Sequence, residues 1–178
     1  DSSFRLFRRS RHVDAMLRSL SATRPAHPRV SIVVPTYNEA KNLPHVFSLI
    51  EQVEGVHEVI VVDGRSSDGT IEMAQSLMPD VKIVRQTRKG KGNALACGFE
   101  AVTGDIIVML DADGSADPRE IPAYVEALVN GADFAKGTRF ATGGCSDDVT
   151  NTGPGGHGGL IILVNVVSRA PARPWCTR

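Results

Sequence analysis

The chain has 178 residues, 42% hydrophobic and 22% charged, and its formal net charge is zero. That suits one globular domain with a sizeable core and argues against a dedicated nucleic-acid binder. No 18-residue apolar run is present to span a membrane, and no signal-peptide core is visible near the start. Three cysteines, Cys97, Cys145 and Cys176, lie far apart; they fit neither a zinc cluster nor a disulfide framework and point to a reducing compartment.

Residues 1–29 form a basic arm, with seven arginines against Asp1 and Asp14. Phe4, Leu6 and Phe7, then Val13, Met16, Leu17 and Leu20, sit among those arginines, so a short amphipathic helix over 13–20 is one reading. It would draw the arm to anionic lipid. A partly disordered leader is the plainer alternative.

Residues 30–34 (VSIVV) read as a buried strand that Pro35 ends. Leu43, Val46, Phe47, Ile50 and Val53 recur at helical spacing, so a helix is expected over 40–53, capped by Thr36 or Asn38 and closed by Gly55. A second strand over 58–62 ends at Asp63, followed by a polar turn and a helix from Thr70 to Met78. A third strand spans 81–84, then the glycine-basic loop Arg88-Lys89-Gly90-Lys91-Gly92-Asn93, then a helix over 94–102. The fourth strand is the apolar run 106–110, which ends in Asp111-Ala112-Asp113. Asp117-Pro118 starts the next helix, which ends near Gly131, and a fifth strand covers 133–135.

Strands and helices therefore alternate over 30–135, which indicates a mostly parallel sheet with helices on both faces. Beyond it, seven glycines fall within 143–159, a loop by composition, and 160–167 (LIILVNVV) is too short to cross a bilayer. Core helix or strand is its default reading; contact with a lipid chain is the sharper one.

In parallel sheets the ligand crevice lies outside the carboxyl ends of the strands. Asp63, Asp111 and Asp113 should gather there with the polar loops. Asp-x-Asp on extended backbone aims two carboxylates one way. Their mutual repulsion is relieved by a divalent cation, for which hard oxygen ligands and substrate phosphates suit Mg²⁺ or Mn²⁺. Two familiar phosphate motifs fail. Gly64 to Thr70 has Walker A glycine spacing without the lysine, and Gly90-Lys91-Gly92 lacks the third glycine of a dinucleotide fingerprint. The five histidines show no ligand spacing.

Four blocks carry a family resemblance. Val33-Val34-Pro35-Thr36-Tyr37-Asn38-Glu39, residues Val61 to Thr70, Asp111-Ala112-Asp113 and Gly137-Thr138-Arg139-Phe140 stand in the order and spacing seen in family 2 glycosyltransferases. The last block is similar to one in the polyprenyl-phosphate (dolichol-phosphate) mannosyl- and glucosyltransferases. The resemblance implies an α/β, Rossmann-like GT-A fold over 30–145. The arm 1–29 would precede it, and 146–178 would be a glycine-rich loop and part of the acceptor side.

It further implies an inverting, metal-dependent enzyme. That enzyme would move mannose or glucose from GDP-mannose or UDP-glucose to a lipid-phosphate acceptor, peripheral at the cytoplasmic face of a membrane. Pro35, Tyr37, Glu39, Val61, Asp63 and Ala112 would hold the donor. Lys91 is extrapolated to reach a phosphate. Asp111 and Asp113 would bind Mg²⁺ or Mn²⁺, with Ser115 as a third, weak ligand where relatives carry a glutamine. Asp113 and Arg139 would carry the catalysis, Arg139 on the diphosphate or the acceptor phosphate. Gly64 replaces a second aspartate common in the family. Two alternatives stay open: a UDP-sugar-dependent enzyme extending a glycan, and a truncated or non-catalytic nucleotide-binding module.

Overall fold

Valine and isoleucine dominate the strand segments, and the computed structural model pairs them into one sheet of order β3-β2-β1-β4-β6-β5. It describes residues 25, 27–132, 134–137 and 161–163. The strands are β1 (Val30–Thr36), β2 (Val56–Asp63), β3 (Lys82–Arg85), β4 (Ile106–Met109), β5 (Phe134–Lys136) and β6 (Ile161–Leu163). The helices are α1 (Leu43–Ile50), α2 (Thr70–Leu77), α3 (Lys91–Ala101) and α4 (Ile121–Val129), the last preceded by a 3-10 turn at Pro118–Glu120. Strands β1 to β4 pair in parallel, whereas β6 runs antiparallel to both β4 and β5.

Strand alternation divides the core in two. Val30, Ile32 and Val34 of β1, Val59 and Val61 of β2, and Ile106 and Val108 of β4 face α1, α2 and α4. Val33, Ile60, Val62 and Ile107 face Ala94 and Cys97 of α3 on the other side. In α1, Leu43, Val46, Phe47 and Ile50 fall at i, i+3, i+4 and i+7 and are all at most 2% exposed. Burial of each such side chain stabilises the fold by about 1.5–3 kcal/mol.

Several boundaries differ from the sequence reading. Pro35 does not end β1; it pairs opposite Val62, and the strand continues to Thr36. Val33 C=O accepts from Leu110 N–H and Thr36 C=O from Gly64 N–H. Odd positions of β1 therefore address β4, so the N–H that proline lacks falls where the β1–β4 ladder has already stopped, at Val33–Met109. Helix α1 begins at Leu43, not residue 40, and neither Thr36 nor Asn38 caps it; Asn42 holds that position without a side-chain capping bond, its Nδ2 donating instead to Glu39 Oε2. Asn38 is instead left-handed (φ 57°) and bonds to the neighbouring loop. Helix α3 starts at Lys91, three residues before the expected 94. Met78, extended before Pro79, ends α2, since a residue before proline avoids helical backbone. Residues 161–163 form a strand inserted between β4 and β5, so the sheet is mixed at that edge. Among the described residues no helix is long and apolar enough to cross a membrane.

Candidate active site

The parallel strands all point their carboxyl ends at one cleft of ≈ 600 Å³. Pro35, Thr36, Tyr37 and Glu39 line it after β1, Gly64 and Arg65 after β2, and Gln86 after β3. Lys89, Gly90, Lys91 and Ala94 enter from the start of α3, and Asp111, Ala112 and Asp113 from the end of β4.

Local hydrogen bonding holds this rim in place. Asp63 is 1% exposed, and its carboxylate accepts from the N–H groups of Arg65 (2.9 Å) and Ser66 (3.1 Å). It shapes the turn after β2 and lies behind the cleft wall, as does Val61, which is fully buried. The loops after β1 and β2 are then tied together. Asn38 N–H donates to Ser66 Oγ, Ser67 N–H to Asn38 Oδ1, Glu39 N–H to Thr70 Oγ1 and Ala40 N–H to Asp68 Oδ2, all within 2.9–3.0 Å. The Thr70 hydroxyl also donates to Asp68, and this bond above all holds the Asp68 carboxyl below its ordinary range.

Gly64 sits where the family resemblance expects a second aspartate. A Cβ there would come 3.1 Å from Thr36 C=O, 3.3 Å from the Tyr37 ring and 3.4 Å from Gln86 Nε2. This backbone therefore leaves no free room for a carboxylate without a shift. Tyr37, 66% exposed, stands over that floor as an open aromatic surface.

The Asp-x-Asp motif departs from its expected geometry. Strand β4 ends at Met109, and a turn begins at Ala112, so the extended strand does not last through Asp113. Burial still alternates over 110–113, and the turn fixes Asp113. Asp113 Oδ1 accepts from Ser115 N–H at 2.9 Å, with Gly114 at φ 73° between them. Leu110 and Ala112 are buried at 0% and 3% and anchor the segment, which leaves Asp111 and Asp113 on the cleft wall. Across from them, Lys91 at the first turn of α3 places Nζ 2.6 Å from Asp111 Oδ1.

Among the described residues no group of three His, Cys, Asp or Glu side chains comes together. Two carboxylates are enough for a magnesium-like ion when substrate phosphates complete its shell, with Lys91 free to turn to those phosphates. The donor set fits Mg²⁺ or Mn²⁺ on that condition. Ser115 Oγ is buried beside this turn.

The cleft thus brings together Pro35, Tyr37, Glu39, Lys91, Asp111, Ala112 and Asp113. Arg139 lies outside the described residues. Sequence reasoning did not single out Arg65, Gln86 or Lys89 as site residues. The usable signal for Gln86 was the end of β3, whose Arg85 is in register with Asp63 at the end of β2. Arg65 owes its place to a left-handed backbone (φ 68°), which leaves no sequence signature.

Comparison with known proteins gives consistent matches. Residues 31–158 match the family "Glycosyl transferase family 2". A dolichol-phosphate mannosyltransferase of Pyrococcus furiosus is 43% identical over 121 residues, covering 65% of this chain and 34% of that protein. A polyprenol monophosphomannose synthase of Mycolicibacterium smegmatis is 36% identical over 124 residues, covering 65% and 47%. The chain thus spans about a third to a half of the length of these relatives.

Among solved structures, a mannosyltransferase of Pyrobaculum calidifontis in complex with GDP-Man and Mn²⁺ superposes with TM-score 0.53 and 27% identity, covering 70% of this chain and 41% of that one. Glucosyl-3-phosphoglycerate synthase of Mycobacterium tuberculosis, in complex with Mn²⁺, UDP and phosphoglyceric acid, gives 0.53 and 30%, covering 62% and 42%. The fold shared with these structures is GT-A.

Proposed function

The chain belongs to glycosyl transferase family 2, and from that premise we propose that it moves a sugar from a nucleotide-diphospho-sugar to a polyprenyl-phosphate acceptor. One observation carries the reading: Asp111 and Asp113 face Lys91 and the amino end of α3 across a single cleft. Relatives named for mannosyl transfer to dolichol phosphate or polyprenol phosphate support the acceptor class. Neighbours holding GDP-Man or UDP with Mn²⁺ support the donor class and a divalent ion. GDP-mannose is the favoured donor and UDP-glucose the second, since the more identical relatives are mannosyl enzymes.

Each group then has a role. Tyr37 offers a flat surface for the base, with Pro35 and Glu39 beside it. Lys91 and the amino end of the 11-residue helix α3 attract the diphosphate. Asp111 and Asp113 would hold Mg²⁺ or Mn²⁺, which offsets the charge that builds on the leaving diphosphate. An oxygen of the acceptor phosphate attacks the anomeric carbon as the bond to the diphosphate breaks, with inversion. That oxygen is anionic at neutral pH, so positioning matters more than a general base. Arg139 is assigned to hold the acceptor phosphate or the diphosphate, on the family resemblance alone.

The test is transfer of labelled mannose or glucose from GDP-mannose or UDP-glucose, with Mg²⁺ or Mn²⁺, to polyprenyl phosphate and to free glycans. A lipid-linked monosaccharide phosphate is the expected product. Transfer to sugar hydroxyls and never to lipid phosphate would sink the proposal.

A further inference from the structure

Lys91 and Asp111 form the shortest ion pair on the cleft wall, 2.6 Å from Nζ to Oδ1. Lys91 is 59% exposed and Asp111 24% exposed at the side chain, so the lysine is the freer of the two. Asp111 is anchored by its buried neighbours Leu110 and Ala112. The lysine, by contrast, swings on a four-carbon stem from the first residue of α3, next to Gly90 (φ 116°) and Gly92, neither of which has a heavy atom within 4 Å of a built Cβ. A divalent ion on Asp111 and an ammonium 2.6 Å from one of its oxygens repel each other and compete for the same negative charge. The donor's diphosphate, in turn, is a stronger partner for Lys91 than one carboxylate, because it offers several anionic oxygens at a helix amino end.

We infer that Lys91 is an internal cation exchanged for the divalent ion: it holds Asp111 until a diphosphate draws it away, so that metal and donor bind as a coupled pair. This rests on the donor site proposed above. It makes Lys91 a positioning residue with two opposed effects. Lys91 weakens binding of the metal ion alone and strengthens binding of the nucleotide. The two effects are linked, because each ligand changes the other's affinity by the same factor.

The test is calorimetric titration of the purified protein with Mn²⁺ alone, GDP alone, and GDP in saturating Mn²⁺, repeated with UDP. In the native chain Mn²⁺ alone should bind weakly and GDP should tighten it. Lys91→Met should bind Mn²⁺ alone about threefold to tenfold more tightly, the scale of a partly exposed ion pair. It should bind GDP more weakly, and the mutual enhancement should shrink towards one. Lys82→Met, which removes a positive charge at the opposite end of the sheet (its Nζ bonds Ala101 C=O), should leave Mn²⁺ affinity unchanged. Unchanged or weaker Mn²⁺ binding in Lys91→Met overturns the inference. So does an equal gain in Lys82→Met, which would mark a net-charge effect. If no nucleotide binds the native chain under any condition, the donor-site reading fails, while the Mn²⁺-alone arm still decides whether Lys91 and the metal compete.

Discussion

Asp113 does two things at once: it faces the cleft, and it accepts a hydrogen bond from Ser115 N–H that shapes the turn. Asp113→Asn keeps a carbonyl oxygen for that bond and removes the charge. We predict that it lowers Mn²⁺-dependent GDP or UDP affinity by roughly tenfold or more with an unchanged thermal midpoint; wild-type metal dependence would refute the assignment. Asp113→Ala should lose the same binding. At the other end of the sheet, fully buried Ser31 donates to Glu58 (2.7 Å), which also accepts from Thr103 N–H (2.6 Å) and Thr103 Oγ1 (2.9 Å). Burial pushes the Glu58 carboxyl up, but these hydrogen bonds outweigh it and hold the group below its ordinary value. A lowered folded value means stability present above the unfolded value, about pH 4.3, and lost as pH falls through the folded one. Glu58→Gln should therefore be less stable than the native chain at pH 7, by about 1 kcal/mol. The difference should start to shrink as pH falls below about 4.3 and vanish only below the lowered folded value, in urea titrations across pH. A pH-independent difference would show that the carboxylate charge is not involved. Val61 and Asp63 teach a related lesson: strand-end position was legible in sequence, but which way each side chain turns was not. Asp63 satisfies its own turn because two N–H groups lie within its reach.

Helix α3 matters as an element because its amino end reaches the cleft and its middle lies close against β1 and β2. Gly98 permits that approach. A Cβ there would intrude on Val33 Cγ1 and come 3.0 Å from Val62 Cγ2, and both valines are fully buried. Gly98→Ala would gain up to about 1 kcal/mol of helix propensity but would overpack a rigid seam at about 1–3 kcal/mol. We expect a net loss of stability by urea denaturation, with donor affinity reduced as α3 is pushed outward. A stabilised variant would show that the seam can yield. The start of this helix was misplaced from sequence because Gly90-Lys91-Gly92 reads as a loop by composition. Packing of Ala94 and Cys97 on the sheet overrides that weak propensity and draws the helix back to Lys91.

For the whole molecule, the resemblance and the arm make separate claims. Residues 1–24 lie outside the described structure. Six of the seven arginines in 1–29 fall within them. We predict that removing them weakens binding to anionic vesicles several-fold at low salt and hardly at all to neutral ones, read by co-sedimentation. Equal binding with and without the arm would place any membrane contact elsewhere. The alternation of strands and helices, the parallel sheet and the gathering of Asp111, Asp113 and Lys91 at one edge were all readable in the sequence, because periodicity and strand-end position are local properties. Only the tertiary structure decided the rest. It placed 161–163 between β4 and β5, turned Asp63 inward, closed the floor at Gly64 and brought Lys91 within 2.6 Å of Asp111. Each depends on residues far apart in the chain meeting at fixed distances, and no spacing along one segment encodes that.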